Sequence, residues 1–392
     1  MQYRTFGALD WRPSALGFGA MRLPLLSADP EATKPDPSRI DYPAATAMLH
    51  WAIDHGVNYV DTAYIYHGGA SEPWLAQALE GGYREKVKVA TKLPIWDVKE
   101  AADLDRFLDE QRERLRMERI DCYLLHGLDA ESWDKVESLG VLEWGAGALA
   151  DGRIAHFGFS FHDDYSVFER IVDAGAGLWS FCQIQYNYMD TEFQAGTRGL
   201  EYAAARGLAV VVMEPIRGGM LARKAPPKVA RLWRQARARR SRADWALQWI
   251  WDHPQVSLVL SGMSTMRQVR ENVASAERSA VGALSEEELA VVAQVRDAYR
   301  ELAVIPCTDC KYCLPCPNGV QIPGVFAIYN DAEIYGDRAR ARLYYAWLEE
   351  GERADRCARC GRCEELCPQG IGIMDWLEKA QAFLGVEQGP AG

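Results

Sequence analysis

Apolar runs alternate with amphipathic stretches along the first two thirds of the chain. The runs are 15–21, 57–61, 87–92, 120–126, 153–160, 181–187, 208–215 and 256–262. Between them, 43–55, 71–80, 100–117, 131–150, 164–174, 195–206 and 241–253 place apolar residues at helical spacing. Strands that alternate with helices predict βαβ units and a parallel sheet. Val210-Val211-Val212 and Ser257-Leu258-Val259-Leu260 are the continuous apolar runs of strands covered on both faces. Eight such repeats predict closure into a (β/α)8 TIM barrel. Residues 2–12 read as a short hairpin ahead of the first strand. Residues 24–43 hold five prolines without periodicity and read as a loop after it. Ser241 with Asp244, and Ser285 with Glu288, have capping-box spacing and mark helix starts. The helix from 285 is expected to end near Leu302. That divides the chain into a barrel over 1–302 and a small, mainly helical domain over 303–392, with a helical insert at about 333–350.

Composition narrows the class. The 392 residues are 48% apolar and 25% charged, as in a globular protein. A net charge of −11 is a poor fit to nucleic-acid binding. No apolar run approaches the roughly 18–20 residues that span a bilayer. The opening Met1-Gln2-Tyr3-Arg4-Thr5-Phe6 lacks the apolar stretch of a secretory signal, so a cytoplasmic location is expected, with neither membrane nor nucleic acid as a partner. Cysteine usage is lopsided. Cys122 and Cys182 lie within apolar runs and read as small core residues. The other eight crowd into 307–367, which in a cytosolic chain points to metal rather than disulfides.

One motif is a decoy. Gly145-Ala146-Gly147-Ala148-Leu149-Ala150 has the letters of a dinucleotide fingerprint but lies within a helical stretch, where the motif's strand-to-helix context is missing. The stronger signal comes from strand ends. Asp61 closes the second run, with Tyr66 five residues on. Lys92 closes the third and His126 the fourth. Any one of these alone reads as an ordinary strand end. Together, at one face of a barrel, they make a coherent device. A tyrosine near pKa 10 is a weak acid at neutral pH, and an adjacent ammonium is expected to lower that value. Asp61 would hold Lys92 charged, His126 would orient a carbonyl oxygen, and Tyr66 would donate a proton to a developing alkoxide.

On these residues the sequence resembles the aldo-keto reductase family over about residues 1–300. The stretch Gly56-Val57-Asn58-Tyr59-Val60-Asp61-Thr62-Ala63, with Tyr66 and Ser71-Glu72, matches the family's second-strand signature. Asp61, Tyr66, Lys92 and His126 match its catalytic tetrad. The resemblance implies NADP(H) or NAD(H) as hydride carrier, and reduction of a carbonyl or the reverse alcohol oxidation. It also implies cofactor contacts. Gly19, Ala20 and Met21 would border the cofactor, and Ser160 and Gln183 would hold the carboxamide. The segment from Ser261 to Asn272, including Gly262, Ser264, Thr265, Arg267 and Gln268, would cradle the adenosine end, with Asn272 on adenine. Three positions depart from the pattern. Met213 stands where an aromatic ring usually stacks, and Phe161 where Asn is common. The family's basic pair for a 2′-phosphate falls on Gly262 and Gln268. Arg267 or Arg270 would have to substitute, so NADP, NAD and flavin all stay open. Trp96, His162, Tyr186, Asn187 and Tyr188 follow strands and are candidates to line a substrate pocket, or to pack beneath loops.

The cysteine region reads Cys307-x2-Cys310-x2-Cys313-x2-Cys316-Pro317 and Cys357-x2-Cys360-x2-Cys363-x3-Cys367-Pro368. The second run has the bacterial ferredoxin spacing for [4Fe–4S] clusters, and the first is one residue shorter. By resemblance to two-cluster ferredoxins, Cys307, Cys310, Cys313 and Cys367 would bind one cluster, and Cys357, Cys360, Cys363 and Cys316 the other. Structural zinc is the competing assignment. A nicotinamide moves two electrons and a cluster moves one. Three readings follow: a carbonyl reductase with structural or oxygen-sensing clusters; an electron-transfer oxidoreductase whose clusters pass single electrons to a flavin, a substrate or a partner ferredoxin; and a catalytically silent, redox-responsive binding module. The run Arg231, Arg234, Arg237, Arg239, Arg240, Arg242 is a solvated helical face or a dock for an acidic electron-carrier protein.

Overall fold

The computed structural model describes residues 1–26, 39–307 and 309–385. It contains eight parallel strands, β1 Leu16–Gly19, β2 Tyr59–Asp61, β3 Lys88–Leu93, β4 Ile120–Leu128, β5 Ile154–Phe161, β6 Phe181–Gln185, β7 Ala209–Met213 and β8 Val256–Gly262. They pair in chain order and close β8 onto β1. Each expected run overlaps its strand, and β3, β4 and β5 extend one or two residues beyond theirs. Most of the expected loop at 24–43 lies outside the described residues. Residues 2–12 carry isolated antiparallel bridges, Tyr3 with Ser14 and Phe6 with Leu9, rather than a continuous hairpin.

Two readings need correction. The stretch 131–150 is two helices, Ala130–Ser138 and Val141–Ala150, because Gly140 between them sits at φ 75. A left-handed residue ends an α-helix. The helical insert is likewise two helices, Ile322–Tyr335 and Arg338–Trp347, parted by Gly336 at φ 63. Proline at the first turn of Ile322–Tyr335 favours an earlier start than the polar pattern implied. The fingerprint decoy does fall inside Val141–Ala150.

Side chains in a strand alternate between its faces. Inside the barrel, Tyr59, Ala90, Leu124, Phe181, Val211 and Leu260 form one apolar cluster. Two residues further along each strand, toward its C-terminal end, stand Asp61, Lys92, His126, Gln183, Met213 and Gly262. Ser160 follows Gly158 in the same way. Alternation alone therefore puts these residues on the inner face at the rim where barrel active sites are built. The opposite end is closed by Phe6, fully buried against Tyr59, Phe181 and Trp11. Gly7 makes this possible: at φ 55, a Cβ there would lie 2.4 Å from the Gly207 carbonyl.

The chain divides into two compact units, Met1–Ala222 with Arg239–Leu289, and Arg223–Ala238 with Ala290–Gly392. The second has its own core, in which Ile322, Val325 and Phe326 meet Ile373, Leu377 and Leu384. Among the described residues no helix is long and apolar enough to cross a membrane.

Candidate active site

The ammonium of Lys92 has three hydrogens to place and three acceptors around it. It donates to Asp61 Oδ1 at 2.7 Å, to the Thr62 carbonyl at 2.7 Å and to Tyr66 Oη at 3.2 Å. Lys92 is 1% exposed and Asp61 3%. The backbone brings Tyr66 back toward the rim through a tight turn after β2, in which Tyr66 N donates to the Ala63 carbonyl at 3.1 Å. His126 packs edge-on to Tyr66, with ring centroids 5.9 Å apart. It sits within a register shift between β4 and β5, where Gly127 at φ 68 donates its N–H to Ser160 Oγ at 2.7 Å. Such a bulge re-aims the side chain beside it.

Charge states follow from this burial. The carboxylate of Asp61 and the phenol of Tyr66 outweigh the burial of Lys92, and the amine lies above its ordinary pKa. Burial pushes the Asp61 carboxyl up, against the pull of Lys92. Burial, with Lys92 and His162 nearby, holds His126 well below its ordinary value, as a neutral ring. Tyr66 runs against the sequence-based expectation. Lys92 does draw its pKa down, yet burial is the larger influence, and Asp61 and Glu214 add to it, so the phenol lies above its ordinary value. Depth within the rim, which no sequence pattern encodes, decides the sign. The resting site therefore holds its proton on Tyr66.

A buried network without a signature in local spacing supports this group. Glu72, fully buried, accepts from Thr91 Oγ1 at 2.6 Å and from Gln111 Nε2 at 2.7 Å. Gln111 Nε2 also donates to the Lys92 carbonyl at 3.1 Å, and Tyr123 donates to Gln111 Oε1 at 2.7 Å. The backbone of Lys92 is thereby fixed from behind. A lone Gln in a helix carries no sequence signal for such a role; only the buried charge of Glu72 points to it.

The other expected residues divide into groups. Ser160 and Gln183 are buried at the rim; among the described residues Gln183 Oε1 has no hydrogen-bond partner. Its amide rests against the Met213 sulfur at 3.6 Å. Gly19 and Ala20 are buried and Met21 is exposed beside them. Gln268 caps its own helix, Met266–Glu277: its Oε1 accepts from Ser264 N and Thr265 N at 2.8 and 3.1 Å. Asn272 donates to Ser261 Oγ at 2.9 Å within the fold. Arg267, 84% exposed, leans toward Glu271, and Arg270 lies over the Trp51 ring. Of the substrate candidates, Trp96 is 44% exposed, with its ring 5.0 Å from that of His126. His162 meets Gln194 at 3.4 Å. Tyr188 is 1% exposed and packs toward Trp249.

In the second unit, Cys307, Cys310, Cys313 and Cys367 line one cavity together with Ile322, Phe326 and Ile371. Four thiols around a common space, walled by apolar side chains, fit the soft-ligand, low-dielectric demand of an iron–sulfur cluster. Cys316, Cys357 and Cys363 pack on the same apolar core, and Cys360 is exposed. Burial pushes the Cys313 thiol up to about 11, so the cation would have to draw off the proton.

The model of the aldo/keto reductase family matches residues 15–297, and that of a 4Fe-4S dicluster domain matches 306–371. The chain belongs to the aldo/keto reductase family. It is an oxidoreductase that carries a 4Fe-4S dicluster domain after the barrel. Among curated relatives, an uncharacterized oxidoreductase YrpG of Bacillus subtilis is 25% identical over 320 residues, covering 71% of this chain and 92% of that protein. The L-galactose dehydrogenase of Arabidopsis thaliana is 24% identical over 327 residues, covering 77% and 96%. In fold, the chain is similar to an aldo-keto reductase from Bacillus halodurans, with a TM-score of 0.60 at 23% identity over 75% of this chain and 96% of that one. It is also similar to an aldo-keto reductase from Klebsiella pneumoniae in complex with NADPH, with a TM-score of 0.58 at 24% identity over 76% and 96%.

Proposed function

We propose that the barrel carries out nicotinamide-linked reduction of a small carbonyl compound, or the reverse oxidation of an alcohol, with Tyr66 as the proton donor. The observation that carries this reading is the Lys92 ammonium, 3.2 Å from Tyr66 Oη and 2.7 Å from Asp61, at the C-terminal rim. A bound NADPH or NADH supplies a hydride to the carbonyl carbon. The chain's own residues do the rest. Tyr66 holds a proton at Oη and gives it to the oxygen as charge develops there. Lys92 steadies the phenolate left behind, because its third hydrogen already points at that oxygen. Neutral His126 offers an N–H to the same carbonyl and fixes its orientation. Trp96, exposed beside His126, forms an apolar wall for the substrate.

The residues at the rim fit the cofactor. The unpartnered Gln183 Oε1 suits the amide hydrogens of a carboxamide, with Ser160 beside it; Gly19, Ala20, Met21, Met213 and the segment 262–272 complete the cradle. The NADPH bound by the Klebsiella relative supports that choice of carrier. For the second unit the reading is two [4Fe–4S] clusters, one on Cys307, Cys310, Cys313 and Cys367, the other on Cys357, Cys360, Cys363 and Cys316. The cavity shared by the first four supports that set.

A second reading, single-electron exchange with an acidic carrier protein, is favoured by one observation. The segment Arg223–Ala238 holds six Lys or Arg and no Asp or Glu, and it groups in the same compact unit as the thiols. Anaerobic reconstitution followed by EPR separates the two. Turnover of a generic aldehyde with NADPH that survives cluster removal supports the first reading. Cluster reduction by NADPH alone overturns a purely structural role for the iron.

A further inference from the structure

The second unit uses one loop twice. The two stretches are Cys307-Thr308-Asp309-Cys310-Lys311-Tyr312-Cys313 and Cys357-Ala358-Arg359-Cys360-Gly361-Arg362-Cys363. In both, the residues on either side of the middle cysteine are left-handed: Asp309 and Lys311 at φ 55 and 60, Arg359 and Gly361 at φ 54 and 79. The turn past the third cysteine repeats as well. Leu314 N donates to the Lys311 carbonyl at 2.9 Å, and Glu364 N to the Gly361 carbonyl at 3.0 Å. Each run then closes on Cys-Pro-x-Gly, with Gly319 N on the Cys316 carbonyl at 2.9 Å and Gly370 N on the Cys367 carbonyl at 3.1 Å. A helix follows in each case, Ile322–Tyr335 in one and Ile373–Leu384 in the other.

With the backbone held alike, the side chains carry the difference, and the difference is charge. The position before the middle cysteine is Asp309 in one loop and Arg359 in the other. Asp309 donates its N–H to the Cys307 sulfur, which keeps its carboxylate beside that thiol. Arg359 acts on Cys357 through space. Its guanidinium is held in place by Ile373–Leu384, donating to Asp375 at 2.6 Å and to Glu378 at 2.9 Å. The walls differ too, since the cavity of Cys307, Cys310, Cys313 and Cys367 is lined by Ile322, Phe326 and Ile371. Lys311 lines it as well and offsets part of the Asp309 charge. Reduction adds one negative charge to a [4Fe–4S] cluster. A nearby anion and an apolar wall oppose that charge, and a nearby cation favours it.

We propose that the two iron–sulfur sites are unequal electron acceptors. The cluster on Cys357, Cys360, Cys363 and Cys316 takes the first electron, and Arg359 against Asp309, at one shared loop position, sets that order. This rests on the two-cluster reading above. The pair then works as a downhill step: an electron that reaches the Cys307 set moves on to the Cys357 set.

The test is an EPR-monitored titration of the anaerobically reconstituted full chain with dithionite as electron donor. Wild type is expected to show two midpoint potentials. Arg359→Gln lowers the upper one and Asp309→Asn raises the lower one. Each shift is about threefold to tenfold in the reduction equilibrium, tenfold being about 59 mV for one electron. Asparagine enters the left-handed region readily, so Asp309→Asn keeps the loop. Glu378→Gln leaves Arg359 in place, strips one counter-charge and raises the upper potential; it reads the same influence if Arg359→Gln fails to assemble. Asp309 and Arg359 are exposed, so added salt narrows the gap, a response that a purely conformational difference lacks. Coincident potentials in wild type overturn the proposal, as does an upper potential that neither Arg359→Gln nor Glu378→Gln moves. An Asp309→Asn shift in the upper potential instead of the lower overturns it too. A reconstituted chain that holds zinc, or iron for one cluster only, overturns the two-cluster reading itself.

Discussion

The two chemical regions of this chain reach order by different routes. At the barrel rim, every hydrogen on Lys92 already has an acceptor, and strands on all sides supply the burial. The protein completes that group by folding. In the cysteine region, seven of the eight cysteines lie outside helices and strands, Cys363 alone being in the short helix Arg362–Glu365, and Cys310 and Cys360 are exposed. Asp309 and Lys311, which flank Cys310, and Arg359, which precedes Cys360, all have φ of 54–60. Left-handed backbone costs a non-glycine residue roughly 1–2 kcal/mol. A bound cluster offsets such costs by ligating the thiolates the loops present. One site is complete in the folded chain; the other, under the proposed reading, would lean on its clusters to offset the strain of its loops.

That contrast is open to experiment. The largest effect on the barrel is expected from Tyr66→Phe, which removes the stored proton together with the Oη that accepts from Lys92. Turnover falls about 10²–10⁴-fold, as for loss of a general acid, while nucleotide affinity by titration stays at the wild-type level. A loss of less than tenfold would assign the proton to another donor. Next comes Lys92→Met. It strands the Asp61 carboxyl without its cation and is expected to cost about 3–5 kcal/mol in denaturant unfolding. Adding Asp61→Asn is expected to restore much of that, because it removes the buried charge; no recovery would mean the pair is not coupled.

The pH profile gives a smaller effect, and its sign is fixed by the shifts. The Tyr66 pKa is raised, so the proton needed for reduction is held through neutrality and lost only as pH climbs past the ordinary phenol value of about 10. The His126 pKa is depressed, so the ring stays neutral well below its usual value of about 6.5. Reduction is therefore expected to be flat from about pH 6 to pH 9 and to fall above that. A descending limb near neutrality would contradict the burial described here. Smallest on the barrel is Cys313→Ser. It is expected to remove the visible cluster absorbance and loosen the second unit to proteolysis, yet to leave aldehyde turnover within about twofold, since the rim is complete without it. A collapse of barrel activity would show that the two regions share more than a chain.

Much of this was legible in one sequence because periodicity carries it. Period-two alternation fixes which residues face inward, and the eight apolar runs fix where strands end; together they place Asp61, Lys92 and His126 on one rim. What escaped were properties set by distance in space rather than along the chain. Gly140 and Gly336 end helices through their φ values, which the apolar pattern does not encode. The sign of the Tyr66 shift depends on depth. Gln111 matters because of what it touches, the Lys92 carbonyl, and that contact leaves no mark in local spacing.

The stopper made by Phe6 and Trp11 has a consequence for traffic. With the far end sealed by close-packed rings, nothing can thread the barrel. Under the proposed reading, cofactor, reactant and products would all share the doorway at the opposite rim. On that reading, such a layout would favour an ordered queue, with the nucleotide entering ahead of the carbonyl and staying until the alcohol has gone.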